Sequence, residues 1–280
     1  MLLYHIVFGT DNGHPRDELE DLVQWYFNSL LHAGQACGSY FVTWFKEELG
    51  VHALMADKNA HALKHHSTWG RKHLKQITKL FGHAPLWTLI DDEDGTSLRS
   101  WRKSESLVLY SCCNTMSPPL RDGKSFKPIP TYLLPLTDTQ KLDLHRWQTA
   151  YWDFDNTWLR SSALEFESYK QLADPLSDLS DQGFDLREAI EEATGIPTYY
   201  YLFRYCAWQD DKEKKRRCPK CGKPWRHKPK QENAPFTDFH FRCAHCRIVS
   251  HEGCHVEPRH AHIGDDKTGR TEKRGISRDA

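Results

Sequence analysis

Along the first hundred residues the spacing of apolar positions changes in a regular order. Residues 2–8 are almost continuously apolar and are closed by Asp11-Asn12-Gly13, which predicts a buried strand ending in a turn. Leu19, Leu22, Val23, Tyr26, Phe27 and Leu30 then recur three and four apart, predicting an amphipathic helix over 17–31 that stops before Gly34 and Gly38. Residues 39–45 and 51–56, joined by Glu48-Leu49-Gly50, read as a hairpin. A second helix follows over 69–81, with Leu74, Ile77 and Phe81 on one face, and Pro85 leads into a strand over 86–90. The order βαββαβ predicts a ferredoxin-like α+β domain over residues 1–100.

The pattern from 101 to 207 is mixed helix and strand. A strand is expected over 106–112, then a proline-rich stretch over 118–135. Helix is expected over 138–173 in two pieces. Its aromatics Trp147, Tyr151, Phe154 and Trp158 suit a core, with a base-stacking face as the alternative. A further helix over 177–192 ends at Gly195-Ile196-Pro197, and Tyr199-Tyr200-Tyr201 marks a strand over 198–205. Residues 210–217 form a charged hinge, either a solvated linker or a phosphate contact. Residues 256–280 are charged with few aliphatics and are expected to be a disordered tail.

The most specific chemistry lies between these last two stretches. Cys218-Pro219-Lys220-Cys221-Gly222 and Cys243-Ala244-His245-Cys246-Arg247 are two Cys-x-x-Cys turns separated by 21 residues. Each turn can bring two thiolates to about 2.3 Å from one ion, so the pair supplies four soft ligands for a closed tetrahedral zinc site. Gly222 allows the backbone to fold tightly around the sulfurs. Trp225 and the alternation Phe236, Asp238, Phe239, His240, Phe241 suit two short strands in the insert, so a zinc ribbon holding one structural ion is expected over 208–255. His251, Cys254 and His255 are spare metal-ligand types without a complete set.

Charge sharpens this reading. The net charge is zero, yet residues 206–255 hold 12 Lys and Arg against 6 Asp and Glu, while the two preceding stretches are acidic. A basic ribbon on an acidic body excludes a globally basic nucleic-acid coat protein but allows local contact with an anionic polymer. Nine cysteines, no basic leader before the short apolar start, and no run near ~18 apolar residues predict reduced thiols, no membrane span and a cytoplasmic setting.

Several catalytic patterns fail on inspection. His61 and His65 stand four apart, but Ala62 occupies the place of a zinc-protease glutamate. Gly123-Lys124-Ser125 resembles the end of a phosphate loop, but Pro118 stands where its first glycine belongs, and Pro128 and Pro130 forbid the helix that should follow. Residues 91–95 read as an acidic turn, since they lack the alternation of a calcium loop. Cys112 and Cys113 read as buried strand cysteines.

Motifs spread over 107–250 carry a resemblance. They are Leu107-Val108-Leu109-Tyr110, Ser117-Pro118, the Pro128 to Pro135 segment, Trp147 with Tyr151, Gly195-Ile196-Pro197-Thr198-Tyr199-Tyr200-Tyr201-Leu202, and the two cysteine turns with Trp225. In this order they resemble an uncharacterised bacterial family described as zinc-ribbon-containing and suggested to bind nucleic acid. The resemblance implies Cys218, Cys221, Cys243 and Cys246 as the metal ligands. It also implies a further Cys-x-x-Cys before the Pro-x-Pro segment in many relatives, where this chain has Asp122 and Ser125.

The resulting expectation is a non-enzymatic nucleic-acid-binding adaptor. Arg216, Arg217, Lys220, Lys223, Arg226, Arg242 and Arg247 would contact phosphates, joined by Lys214, Lys215, Lys228 and Lys230. Trp225 or Phe239 would stack on a base. The alternative is a protein-interaction module docking on a larger assembly.

Overall fold

The computed structural model describes residues 1–91, 98–227 and 239–266. The acidic turn beyond Asp91, and Lys228, Lys230, Phe236 and Asp238 of the insert, lie outside the described residues, as does 267–280.

The chain is mixed α+β. Its first part runs β1 (Leu2–Thr10), α1 (Arg16–His32), β2 (Ala36–Phe45), β3 (Glu48–Met55), α2 (Thr68–Phe81) and β4 (Leu86–Asp91). The four strands form one antiparallel sheet in the order β2-β3-β1-β4. Alternation decides its faces. Tyr4, Ile6 and Phe8 of β1, with Leu49, Val51, Ala53 and Met55 of β3, bury against Leu19, Val23, Tyr26, Phe27 and Leu30 of α1 and Ile77 and Phe81 of α2. The opposite face shows Phe41 at 67% and Phe45 at 73% exposure. Ser67 caps α2 by accepting from Gly70 N, and Gly82 ends it in the left-handed conformation.

The second part runs β5 (Leu107–Leu109), β6 (Leu120–Asp122), α3 (Asp138–Arg160), α4 (Glu165–Ala173), α5 (Asp178–Thr194), β7 (Thr198–Tyr201), β8 (Cys206–Ala207), α6 (Asp210–Lys214), β9 (Phe241–Cys243), β10 (Ile248–Ser250) and β11 (His255–Val256). Five strands make one sheet in the order β6-β5-β7-β10-β9, with β5, β7 and β10 parallel. The expected strands over 106–112 and 198–205 are therefore shorter than their apolar runs. The sheet also continues across residues 207 and 208, so the cysteine-bearing hairpin β9-β10 is part of the body and not an appended knob.

One face of this sheet packs Leu107, Leu109, Tyr200 and Ile248 against Leu144, Trp147, Tyr151, Phe184 and Ile190 from α3 and α5. The aromatics of α3 thus form a core, and Trp147 donates to the Leu179 carbonyl at 3.1 Å. Gly183 lies inside α5, because a Cβ there would come within 2.2 Å of the Tyr200 ring. The helix begins earlier, where Ser177 accepts from Ser180 N. On the other face Val108, Tyr199, Tyr201 and Val249 are covered by Phe126 and Phe239.

Two expectations are corrected here. Residues 210–217 are not a free hinge but are anchored through two buried side chains while Lys212, Lys214, Lys215 and Arg217 stay exposed, and 256–266 are not a free tail. Glu213 and Arg216 are buried, and Ile263 packs with Tyr169 and Cys206. Arg204 pairs with Glu213 through two hydrogen bonds of 3.1 and 2.7 Å, and Arg216 reaches Glu213 at 3.2 Å. Asp265 adds a second carboxylate, 3.5 Å from Arg216 and 3.8 Å from Arg204. Two cations and two anions balance, which lets Arg204, Glu213 and Arg216 be buried. The Ile263 and Gly264 carbonyls accept from Arg204 and Arg216, tying the segment down further.

Burial alone would raise the Glu213 carboxyl, but the hydrogen bond from Arg204 and the charges of Arg216 and Arg204 hold it below its ordinary value. A depressed carboxylate stabilises the fold above its unfolded pKa, about 4.3, and loses that contribution as pH falls through the folded value. Glu213→Gln is expected to cost about 3–5 kcal/mol at neutral pH by leaving two buried guanidinium groups with one carboxylate. It should also flatten the acid limb of a denaturation profile below pH ~4. Equal stability of mutant and wild type in urea melts at pH 7 would contradict this account.

Candidate metal centre

Each cysteine turn is shaped by its backbone. In the first, Gly222 N donates to Cys218 O at 2.8 Å and Cys218 N donates to Lys223 O at 2.9 Å. Gly222 adopts φ +65°. In the second, Cys246 N donates to Cys243 Sγ at 3.4 Å, and the residue after the second cysteine is Arg247 with φ +54°. The two turns therefore need the same left-handed step, which glycine takes without strain and arginine takes at a cost of order 1 kcal/mol. Arg247 is held there by Glu191 of α5, accepting from its Nη2 at 3.0 Å and its Nε at 3.2 Å, while Nη1 donates to Ala244 O. Glu191 also accepts from Thr198 N at 3.1 Å, so one carboxylate joins α5, the start of β7 and the second turn.

The sulfurs converge. One ligand atom from each of Cys218, Cys221, Cys243 and Cys246 lies within 4.8 Å of all the others, and Cys221 Sγ is 3.7 Å from Cys243 Sγ. A regular tetrahedron with 2.3 Å metal–sulfur bonds has edges of about 3.8 Å. A disulfide needs about 2.05 Å, and all nine cysteines are free. The four sulfurs can therefore hold a metal ion. Burial pushes the Cys218 thiol up to about 12 and raises Cys246 as well. For Cys221 burial acts the same way, but the Lys223 amide and the neighbouring thiols outweigh it and lower the value. Without a cation such a set cannot ionise together; a divalent ion reverses the balance.

Of the residues expected to contact nucleic acid, the structure removes several. Trp225 is 2% exposed, packs on Phe241 and donates to Arg216 O at 3.0 Å, so no base can reach its ring. Phe239 is buried against Phe126 and Tyr201. Arg216 is buried in the four-charge network; Arg247 is half-buried and pairs with Glu191, and Arg226 stays exposed while pairing with Glu252. Arg217, Lys220, Lys223 and Arg242 remain exposed, with Arg217 donating to Gly222 O and Arg242 to Tyr199 OH. Periodicity could not separate these groups, because each inward partner comes from a distant part of the chain.

The other candidates resolve into packing. His61 stacks on Trp87, and His65 sits edge-on to Tyr132. His251 packs on Phe239 and Tyr201, His255 stacks on Tyr205, and Cys254 is exposed; among the described residues they form no metal-binding group with a third ligand. Cys112 and Cys113 sit half-buried in the loop after β5, where burial raises both thiols. Asp122 accepts from Ser125 N at 2.7 Å and Ser125 Oγ at 2.6 Å and pairs with Arg99 at 3.0 Å. A hydrogen-bonded turn thus closes the loop at the two positions where the resemblance places a further cysteine pair.

Glu191→Gln tests the tie between helix and turn. It is expected to lower unfolding free energy by about 1–2 kcal/mol and to speed the loss of bound metal to a chelator, read by stopped-flow absorbance. An unchanged release rate would show that the second turn holds its shape without Glu191.

Comparison with known proteins places these features in context. Residues 101–203 match the family model described as a domain of unknown function (DUF2310). Residues 1–91 and 209–254 match two further domains of unknown function, DUF8589 and DUF8594. Two proteins of Haemophilus influenzae, each described as an uncharacterized protein, are similar. One is 39% identical over 144 residues, covering 51% of this chain and 69% of the relative. The other is 39% identical over 145 residues, covering 51% of this chain and 54% of the relative. No solved structure matches. With that identity over more than two thirds of a Haemophilus relative, the chain belongs to the same family as that uncharacterized bacterial protein.

Proposed function

We propose that Cys218, Cys221, Cys243 and Cys246 hold one zinc ion in a closed structural site of the zinc-ribbon type, and that the protein is a zinc-stabilised binding protein and not an enzyme. The observation that carries this reading is the convergence of four sulfurs from two matching turns. Four protein ligands fill a tetrahedral ion, which leaves no position for an activated water. The first sheet, in the order β2-β3-β1-β4 with both helices on one face, supports a ferredoxin-like reading of the N-terminal part. Free cysteines throughout support a reducing, cytoplasmic setting, and no described helix is long and apolar enough to cross a membrane.

For the partner, nucleic acid is the first reading. Lys212, Lys214, Lys215, Arg217, Lys220 and Lys223 are exposed within twelve residues of sequence. A tetrathiolate zinc site carries two negative charges, so part of this excess offsets the cluster itself. Binding should accordingly be weak and steeply salt-dependent. A protein partner is the second reading, favoured by the uncovered aromatic side chains Phe41 and Phe45 on the first sheet.

Purified chain is expected to contain one zinc per molecule by elemental analysis. Cys243→Ser or chelation should lower the melting temperature by roughly 10 °C or more, because β9, β10 and the Trp225 packing lose their anchor. Metal-free protein with an unchanged melting curve would refute the structural-zinc reading.

For the partner, fluorescence anisotropy with single-stranded and duplex oligonucleotides between 50 and 200 mM salt should give a log–log slope of about −3 to −5. The pair Lys220→Glu and Lys223→Glu should weaken binding. No binding at low salt, together with a stoichiometric protein recovered after nuclease treatment, would decide for the protein partner.

A further inference from the structure

Arg121 is the exception to the way this protein treats buried cations. Among the described residues three arginines are buried: Arg121 at 7% exposure, Arg204 and Arg216. The latter two share Glu213 and Asp265. Arg121 makes no ion pair among the described residues. One Nη donates to Ser117 Oγ, the guanidinium lies 5.8 Å from the ring centres of Tyr110 and Phe126, and its Nε is buried with no hydrogen-bond partner. Asp155, the buried carboxylate whose field reaches Tyr110 and Cys112, is engaged by Cys113 N at 2.9 Å. Ring faces compensate a buried cation only in part, so a permanently charged guanidinium left this way is expensive.

The group also has somewhere to act. Arg121 lines a cleft of about 410 Å³ between the two sheets. Leu54 from β3, Leu98 and Pro128 form apolar walls, and the loop after β5 adds two hydroxyls to the lining: Ser117, which accepts from Arg121, and Thr115, which donates to Cys112 O at 3.4 Å. Apolar walls with a few convergent polar groups, placed where two structural parts meet, are the usual build of a small-molecule site. Guanidinium with adjacent hydroxyls selects a planar or tetrahedral oxyanion.

We propose that this cleft binds a small organic anion, a carboxylate or phosphate monoester on a short apolar body, with the anionic head on Arg121, Ser117 and Thr115. The body lies along Leu54, Leu98 and Pro128. The site is independent of the metal centre and of any polymer contact, so it stands or falls separately from the function proposed above.

The test uses the full, metal-loaded chain in calorimetric titrations with hexanoate, hexyl phosphate and inorganic phosphate as probes and hexyltrimethylammonium as the charge-reversed control. Hexanoate or hexyl phosphate should bind, and the cationic control should not. Arg121→Met should weaken binding at least tenfold while leaving the melting temperature of the free protein equal or higher, since it removes an unmatched charge. The double change Thr115→Val and Ser117→Ala should weaken binding three- to tenfold, and it provides a second reading if Arg121→Met does not fold. Inorganic phosphate binding as tightly as hexyl phosphate would overturn the apolar-body part and assign the head site to a free ion. Failure of all three anions to bind folded wild-type chain at millimolar concentration, or binding untouched by both variants, would overturn the proposal.

Discussion

The parallel pairing of β10 with β7 is the contact on which the C-terminal half depends. Tyr200 N donates to Arg247 O and Leu202 N to Val249 O, which draws the second cysteine turn onto the edge of the central sheet. From there β9 pairs back with β10, Trp225 O accepts from Arg242 N, and the first turn is carried to the second. Cys218 and Cys243 become members of the same apolar cluster as Trp147, Tyr151 and Phe184. The four sulfurs meet because the main core has been extended around them. A metal bound there would brace the body itself, unlike the ion of an independent finger.

Charge is handled by the same logic. The basic excess of residues 206–255 looks like an outward-facing surface when counted along the chain. In three dimensions Arg216, Arg226 and Arg247 each find a carboxylate, drawn from α6, the loop after β10 and α5 respectively. Arg247 shows how closely conformation and charge are linked here. Its left-handed backbone is unfavourable for arginine, yet only a long cation at that position can reach Glu191. The cations that remain outward are mostly lysines on α6 and the first turn, together with Arg217, Arg226 and Arg242.

The two sheets meet through specific polar contacts. Tyr132 OH donates to Asp57 at 2.7 Å, and Asp138 at the start of α3 accepts from Thr68 N at the start of α2. Tyr132 is buried in the core of the first part although it belongs to the proline-rich stretch of the second. That stretch therefore acts as a fastener, with Tyr132 presented on the single 3-10 turn Thr131–Leu133 that follows Pro130. The cleft at Arg121 opens along the same junction.

The sequence by itself determined what local rules govern. Period and turn residues set the helices and strands of the first hundred residues to within a few positions, and two Cys-x-x-Cys turns marked the four cysteines that could hold a metal ion, because each pair sits close together in the chain. Only the tertiary structure decided that strands over 106–112 and 198–205 end early, that the hairpin at 241–250 joins the central sheet, and that residues 256–266 are anchored to the body through Ala261, Ile263 and Asp265. It also decided which arginines face inward and left Arg121 without a matching carboxylate among the described residues. Those outcomes depend on partners many residues away: Glu191 for Arg247, Asp265 for Arg216, Tyr200 for Gly183. Pairing energies between distant groups leave no period in a sequence, whereas side-chain alternation and short ligand spacing do.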